Sequence, residues 1–370
     1  RDTLIESQLY NPIRDGGHSL QAWGERLGYN KGDYNDFTTF SKEMLEYCQR
    51  DTELTRKVAG VLSGEGSTFS DRSYNLERKV RAIVDQQERN GFAFDIQKAT
   101  VFLSQLEDEQ YSLEEKAQEM FEPTEVKLKT KTKYIPFNIA SRKQIAERLM
   151  ERGWEPKKHT EKGNVIVSEE ILSKLNMPEA QMFSRYFLLQ KRTGLLKSWI
   201  QECEEDDRVR GRVMTLRTVT GRMAHNSPNM AQVPATYSPY GKECRELWTV
   251  SNPDTHVLVG TDASGLELRC LAHYMNDSNF TKEVLTGDVH TANMKAAGLT
   301  NRDQAKTFIY AFLYGAGPAK IGKVVGGSAK HGKDLIARFL KNMPALDRLR
   351  KMVTKASESG TVKALDGRLL

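Results

Sequence analysis

The 370-residue chain reads as helix-rich α+β, long enough for two or three domains with their own cores. Two patterns predict this class. Apolar residues recur three and four apart through most of the chain, as on the buried face of an amphipathic helix. One apolar run, Val257 to Val259, lacks that period and reads as a short buried strand. Such a strand delivers Asp262 past its C-terminal end, where a carboxylate can face a cleft instead of the core.

The bulk numbers narrow the partners. A net charge of +6 and a pI near 8.9 suit nucleic acid without requiring it. Cys48, Cys203, Cys244 and Cys270 lie far apart with no CxxC, which suggests neither a zinc site nor a disulfide framework. Reduced cytoplasm is the expected compartment. No signal peptide and no bilayer-length apolar run occur, so no membrane partner is expected. The chain starts at Arg1 and stops inside "ALDGRLL", which reads like the beginning of a strand. Both ends are expected to be cut.

Residues 1 to about 62 are predicted helical, with Leu20, Trp23 and Leu27 on one face. Met44, Cys48, Asp51 and Leu54 to Val58 continue a helical spacing, and Tyr47 and Asp51 stand four apart on one face. Ser63 to Asp71, small and polar with two glycines, is predicted to be a linker. The next helix carries Leu76, Val80, Ile83 and Val84 as its apolar stripe and ends at Asn90-Gly91. Another long helix runs from about Ile96 to Met120. Lys127, Lys129, Lys131 and Lys133 then alternate across a short connection, either a solvated loop or a phosphate contact. Ser141 and Gln144 fit a capping box ahead of Ile145, Leu149 and Met150. Charged residues from Gln201 to Gly211 mark a surface turn. Gly221 and two prolines make Thr218–Arg222 and Ser227–Pro234 irregular, neither helix nor regular strand. Arg222, Asn229 and Gln232 are then polar groups on a stiff loop, fit to read a duplex or simply to face solvent.

Two later stretches carry chemistry. Asp262 is followed five residues on by Glu267, at the start of a helix running to about Met275. An acid leaving a strand suits a divalent cation that wants hard oxygen ligands, though Asp there is also an ordinary turn former. About forty residues on, Arg302, Lys306, Tyr310 and Tyr314 form one stripe on a helix of about 3.6 residues per turn. Phe308, Ile309, Phe312 and Leu313 fill most of the rest. Two cations followed by two aromatics suit a nucleoside triphosphate, with charges on phosphates and rings near sugar and base. An amphipathic helix with solvated cations is the plainer reading of this helix alone.

Together, "DASGLELR" (262–269) resembles motif A and "RDQAKTFIYAFLYG" (302–315) motif B of family A, or Pol I-like, DNA polymerases. The resemblance is strongest to replicative polymerases of short-tailed, T-seven-like phages. "HSLQAWGERLG" (18–28) and "EYCQRD" (46–51) resemble the 3′–5′ exonuclease domain, and "QERNGFAFD" (87–95) the approach to the polymerase domain. "FNIASRKQIAERL" (137–149) resembles a thumb segment, and "TGRMAHNSPNMAQVP" (220–234) a loop that holds the template-primer. The fold implied is a right hand of palm, thumb and fingers, preceded by the C-terminal part of an RNase H-like exonuclease domain. The implied boundaries are exonuclease 1–65, thumb with the approach to the palm 66–205, palm 206–285, fingers 286–360, and a return to the palm 361–370.

The resemblance also implies roles. Asp262, helped by the Ala263 carbonyl, would bridge two Mg²⁺ ions, and Arg302, Lys306 and His290 would neutralise the triphosphate. Tyr314 would pack at the templating position, with Gly315 letting the helix end turn. Glu267 is long enough to exclude a ribose 2′-OH and is read as the steric gate. The Tyr310 phenol could replace a missing 3′-OH, which predicts ready use of dideoxynucleotides. Arg222 would test the minor-groove edge of the primer terminus, whose acceptors are nearly the same for every correct pair. Asn229 and Gln232 would hold the nearby primer-template, and Arg245 and Lys197, with Lys191 and Arg192, are further DNA contacts. In the exonuclease part, Asp51 would ligate a metal and Tyr47 orient the attacking water. The partners implied are primer-template DNA and dNTPs.

Two departures bound these expectations. The segment from Phe121 to Asn138 is short where the thioredoxin-recruiting relative has a long thumb insertion, so no thioredoxin clamp is expected. No His-Asp-Glu tripeptide, the family's third polymerase motif, occurs among the 370 residues. The chain alone is therefore expected to be inactive within an otherwise active polymerase. The competing expectation is a split or degenerate polymerase that grips DNA without chemistry.

Overall fold

A computed structural model describes residues 1–127 and 132–370, which form two compact units. Unit 1 holds residues 1–67 and 74–258, and unit 2 holds 68–73 and 259–370. The division after Leu258 falls inside the stretch expected to be one palm segment.

Unit 1 begins with α1 (Thr3–Tyr10), α2 (Leu20–Arg26) and α3 (Lys42–Glu65). Asp2, Ser19 and Ser41 cap them by accepting hydrogen bonds from first-turn amides. Trp23 packs on Leu54, Val58 and Leu62, with Leu20 and Leu27 beside it, as the spacing predicts. The expected linker is largely helical instead. α3 runs through Glu65 into a 3-10 turn at Gly66–Thr68, because fully buried Leu62 ties its last turns to that core.

α4 (Asp71–Asn90) ends at Gly91, whose φ of +59° takes the left-handed turn predicted there. Only part of its predicted apolar stripe is buried, Val84 well and Val80 partly. Leu76 and Ile83 are 44% and 68% exposed, while Ser73, Glu77 and Val84 are buried. The polar side wins because it grips backbone. Arg81 donates to the Val213 carbonyl at 2.8 Å, and the Glu88 carboxylate accepts from the Val213 N–H at 2.6 Å.

β1 (Phe92–Phe94), α5 (Ile96–Met120), β2 (Thr124–Lys127) and β3 (Thr132–Ile135) follow. β2 and β3 pair antiparallel, with Thr124 opposite Ile135. Lys129 and Lys131 lie outside the described residues, and Lys133 is exposed. α6 (Arg142–Glu151), α7 (Glu169–Leu172) and α8 (Pro178–Gln201) complete the helical part. Phe121, Phe137, Leu149, Trp154 and Phe183 form its core. Only half of the predicted capping box forms. Ser141 Oγ accepts from the Gln144 N–H, but the Gln144 side chain accepts from the Asn138 N–H at 2.7 Å.

The rest of unit 1 comprises β4 (Arg208–Val209), β5 (Arg212–Met214), β6 (Ala224–Asn226), α9 (Gly241–Arg245) and β7 (Trp248–Thr249). A three-stranded sheet in the order β4-β1-β7 is antiparallel throughout, with Phe92 opposite Val209 and Phe94 opposite Trp248. Phe94 packs edge-on against Trp199 and tilted against Trp248, which anchors the sheet to α8. β5 pairs antiparallel with β6, which falls between the two stretches predicted irregular, and the second of these contains a 3-10 turn at Met230–Gln232.

Unit 2 is built from α10 (Leu266–Met275), α11 (Ser278–Thr286), α12 (Val289–Ala297), α13 (Arg302–Leu313), α14 (Pro318–Val324), α15 (Ala329–Asn342) and α16 (Pro344–Ser357). Leu268, Phe280, Phe308, Ile309, Ile321 and Phe339 are its buried centre, with Phe308 edge-on to Phe339 at 5.0 Å. The predicted buried strand at 257–259 does not form. These residues are coil, 79%, 58% and 82% exposed. No strand pairs with them among the described residues, so their backbone groups stay with water. At the far end, Val362 and Leu370 exchange two backbone hydrogen bonds of 2.8 Å and close a turn. Among the described residues no helix is long and apolar enough to cross a membrane.

Candidate active site

α13 of unit 2 organises the site. Asn301 caps it by accepting from the Asp303 and Gln304 amides at 2.8 and 3.0 Å. Ala305, Phe308 and Ile309 are fully buried, which leaves Arg302, Lys306, Tyr310 and Tyr314 along the less buried side. Gly315, with φ +74°, lets the chain turn off the helix end as predicted.

α12 sets the neighbouring wall. Asp288 caps it, accepting from the His290 and Thr291 amides and from Thr291 Oγ1 at 2.7 Å. The same carboxylate receives Arg302 in a bidentate pair at 2.8 and 3.0 Å. The Arg302 bond, joined by Thr291, holds the Asp288 carboxyl well below the usual carboxylate range. Arg302 is thus moored to α12, whereas exposed Lys306 has no ion pair among the described residues. The His290 ring lies 6.2 Å from the Tyr310 ring, and its buried Nδ1 has no hydrogen-bond partner among the described residues. Burial, then the charges of Arg302 and Lys306, push the His290 pKa down and favour the neutral imidazole.

Glu267, in the first turn of α10, reaches the other end of the face. Its carboxylate accepts from the Tyr314 hydroxyl at 3.0 Å. Burial raises the Tyr310 phenol pKa, helped by the charge of Glu267, so Glu267, Tyr310 and Tyr314 converge. Six of the predicted residues (Glu267, His290, Arg302, Lys306, Tyr310 and Tyr314) are therefore brought together on one unit. Asp262 and Ala263 lie in exposed coil just before α10, and the Ala263 carbonyl accepts from the Leu266 N–H at 3.2 Å.

The donor set for a divalent ion is partial. Asp262 offers an exposed carboxylate and Ala263 a carbonyl, both hard oxygens. Among the described residues no three His, Cys, Asp or Glu side chains are grouped to hold a metal. Asp262 and the Ala263 carbonyl could fill part of the oxygen shell of a hard divalent ion.

The predicted DNA-contacting residues of unit 1 are partly committed elsewhere. The Arg222 N–H donates to Thr218 Oγ1 at 2.8 Å, closing a tight loop over Gly221, and the Arg222 residue is exposed. Asn229 Oδ1 caps the 3-10 turn Met230–Gln232 by accepting from the Ala231 N–H at 3.1 Å. Gln232 is exposed. Arg245 Nε donates to the Pro234 carbonyl at 2.8 Å and so braces the loop from behind. Lys197 is paired with Glu107 at 2.7 Å, Lys191 with Glu169, and Arg192 donates to the Pro239 carbonyl.

Tyr47 and Asp51 lie on α3 beside a lysine that the spacing did not reveal. Lys31 Nζ sits 5.0 Å over the Tyr47 ring and 3.7 Å from Asp51 Oδ2. A hydrogen bond with Tyr47, joined by the charge of Asp51, raises the Lys31 pKa. Asp51 Oδ1 is buried with no hydrogen-bond partner among the described residues, so Asp51 offers one carboxylate of a partial ligand set, with the Lys31 ammonium beside it. Asp288 was also missed as a site residue. Its signal was an acid two residues before His290 at a helix start, the ordinary capping pattern.

Comparison with known proteins places this arrangement. Residues 104–370 match the model of DNA polymerase family A. The chain is 32% identical over 461 aligned residues to the DNA-directed DNA polymerases of Escherichia phage T7 and Enterobacteria phage T3, covering 95% of this chain and 66% of each relative. Those 461 positions exceed the 370 residues of the chain, so the relatives carry segments absent here. DNA polymerase I of Helicobacter pylori is 27% identical over 62% of this chain and 26% of its own length. The solved POL domain of Pol1 from M. smegmatis, in complex with DNA primer-template and dNTP, shares the fold at TM-score 0.78 and 18% identity, covering 100% of this chain and 63% of that one. With most of its length inside the family model and a polymerase right-hand fold to match, the chain belongs to DNA polymerase family A.

Proposed function

We propose that this chain serves a template-directed DNA polymerase that adds dNTPs to a primer 3′-OH in the host cytoplasm. The observation that carries the reading is the α13 face. Arg302 and Lys306 precede Tyr310 and Tyr314 in line, with neutral His290 on one side and Glu267 on the other.

Lys306 is the mobile cation for the phosphates, and Arg302, moored by Asp288, is a fixed one. Neutral His290 can donate one ring N–H to a phosphate oxygen without adding charge. Glu267, held by Tyr314, closes the space of a ribose 2′-OH, and the Tyr310 hydroxyl can stand in for a sugar 3′-OH when a dideoxynucleotide lacks one. Asp262 and the Ala263 carbonyl would hold Mg²⁺, which when bound supplies the Lewis acidity that activates the 3′-OH and stabilises pyrophosphate. Arg222 and Gln232, exposed on a loop stiffened by Thr218 and Asn229, contact the primer-template duplex. We infer no thioredoxin clamp, because the segment from Phe121 to Asn138 is short.

The test is primer extension by the full gene product carrying these residues. Extension with dNTPs, lost in Asp262→Ala and not matched by rNTPs, is expected. Tight primer-template binding without extension would overturn it in favour of a DNA-gripping module. Equal use of rNTPs would overturn the sugar-gate assignment.

A further inference from the structure

We propose that unit 2 carries a second recognition pocket, in which the side-chain amide of Asn293 reads the edge of an adenine-like nucleobase. No residue of the α13 stripe lines this pocket. It is a cleft of about 560 Å³ where the ends of α10, α11, α12, α15 and α16 meet, a size suited to a nucleoside (such sites span about 300–1,000 Å³).

Asn293 is fully buried, and neither its Oδ1 nor its Nδ2 has a hydrogen-bond partner among the described residues. Buried side-chain amides are almost always paired, so a donor and an acceptor left open on one group need a reason. A ligand that presents an acceptor beside a donor supplies both partners at once. The N6–H and N7 of adenine do this, and Asn matches them as a bidentate pair.

The remaining lining agrees. Phe280, Met275 and Met343 give the cleft apolar walls for a flat ring. The first turn of α16, a 14-residue helix, opens there with no side-chain cap. Pro344 has no N–H and the Leu346 and Asp347 amides donate to the Met343 carbonyl, so among the described residues Ala345 supplies the one N–H of that turn open to an acceptor. Asp277, Glu283 and Lys282 also line the cleft, so carboxylates outnumber the cation and a phosphate is disfavoured. Asp277 is already spent on capping α11 through the Phe280 N–H at 2.8 Å. A neutral base fits this set better than an anion. It can arrive as a free nucleoside or as an unstacked base of a single strand.

The experiment follows the Asn293 side-chain amide by ¹H–¹⁵N NMR in the intact protein, with adenosine, purine riboside (which lacks the 6-amino donor) and a short oligodeoxyadenylate as probes. Adenosine is expected to shift the amide saturably and purine riboside not to. Tighter binding of the oligonucleotide identifies a strand as the source, and equal binding identifies a free nucleoside. Asn293→Leu should weaken adenosine binding at least tenfold without lowering Tm, because the apolar side chain leaves no orphaned group. Silence of the amide toward both adenine probes, or equal shifts with purine riboside, overturns the proposal. So does undiminished adenosine binding by Asn293→Leu. Lys306→Ala should lose dNTP binding and keep adenosine binding, so failure here is distinguishable from failure of the polymerase reading.

Discussion

The exposed side of α13 and the loop from Thr218 to Pro234 both display polar side chains suited to nucleic acid, yet they use their atoms differently. On α13 the backbone satisfies its own hydrogen bonds, so Lys306, Tyr310 and Tyr314 keep their polar groups for other side chains or for substrate. The loop has no such internal ladder, and its backbone borrows side chains. Thr218 accepts from Arg222, Asn229 from Ala231, and Arg245 donates to Pro234. Lys306 on α13 thus keeps its charge for substrate, while Thr218 and Asn229 spend side-chain oxygens on the loop's own backbone.

The strongest way to break the α13 side of this contrast is to remove its support. Phe308→Ala deletes a fully buried ring against Phe339 and should cost about 3–5 kcal/mol. A denaturation midpoint close to the parent's would mean the stripe does not depend on that core. Lys306→Ala leaves the fold alone and should slow single-turnover incorporation by about 10²–10³-fold, the usual loss of one transition-state donor. An unchanged rate would return Lys306 to the status of a solvated cation.

Tyr310→Phe is subtler. Loss of the phenol hydroxyl should make the enzyme discriminate against dideoxynucleotides on the order of tenfold more, as one hydrogen bond allows. Competition between ddNTP and dNTP measures it, and unchanged selectivity would remove that role.

On the loop side, Asn229→Ala should cost about 1 kcal/mol as a lost cap, while Asn229→Ser retains the cap. If Asn229 also contacts DNA, the Ser variant keeps its Tm and loses primer-template affinity. Unchanged affinity would make Asn229 purely a loop support.

The smallest effect is on pH dependence. The His290 pKa is depressed in the folded state, so its contribution to stability is full above the unfolded value of about 6.5 and declines as pH falls through it. His290→Gln should flatten the fall of Tm between about pH 7 and 5. An equal fall in both proteins would assign the acid sensitivity to other groups.

Much of this was legible in the residues. The buried side of α13 and the turn at Gly315 follow from spacing and local chemistry. So does the end of α4 at Gly91. Two misreadings turn on partners elsewhere in the chain. Leu76 and Ile83 of α4 face outward while Arg81 and Glu88 hold Val213, more than a hundred residues away. The run Val257–Val259 stays exposed because nothing pairs with it among the described residues.

The same division holds for the site. Residue order settled which side chains share the α13 face, since helical geometry is local and repeats every turn. Only the folded chain revealed that Arg302 is moored to Asp288, that Tyr314 holds Glu267, and that Lys31 stands between Tyr47 and Asp51. Ion pairs and hydrogen bonds between separate elements act over a few ångströms, and periodicity along one helix carries no record of which distant residue will arrive within that reach.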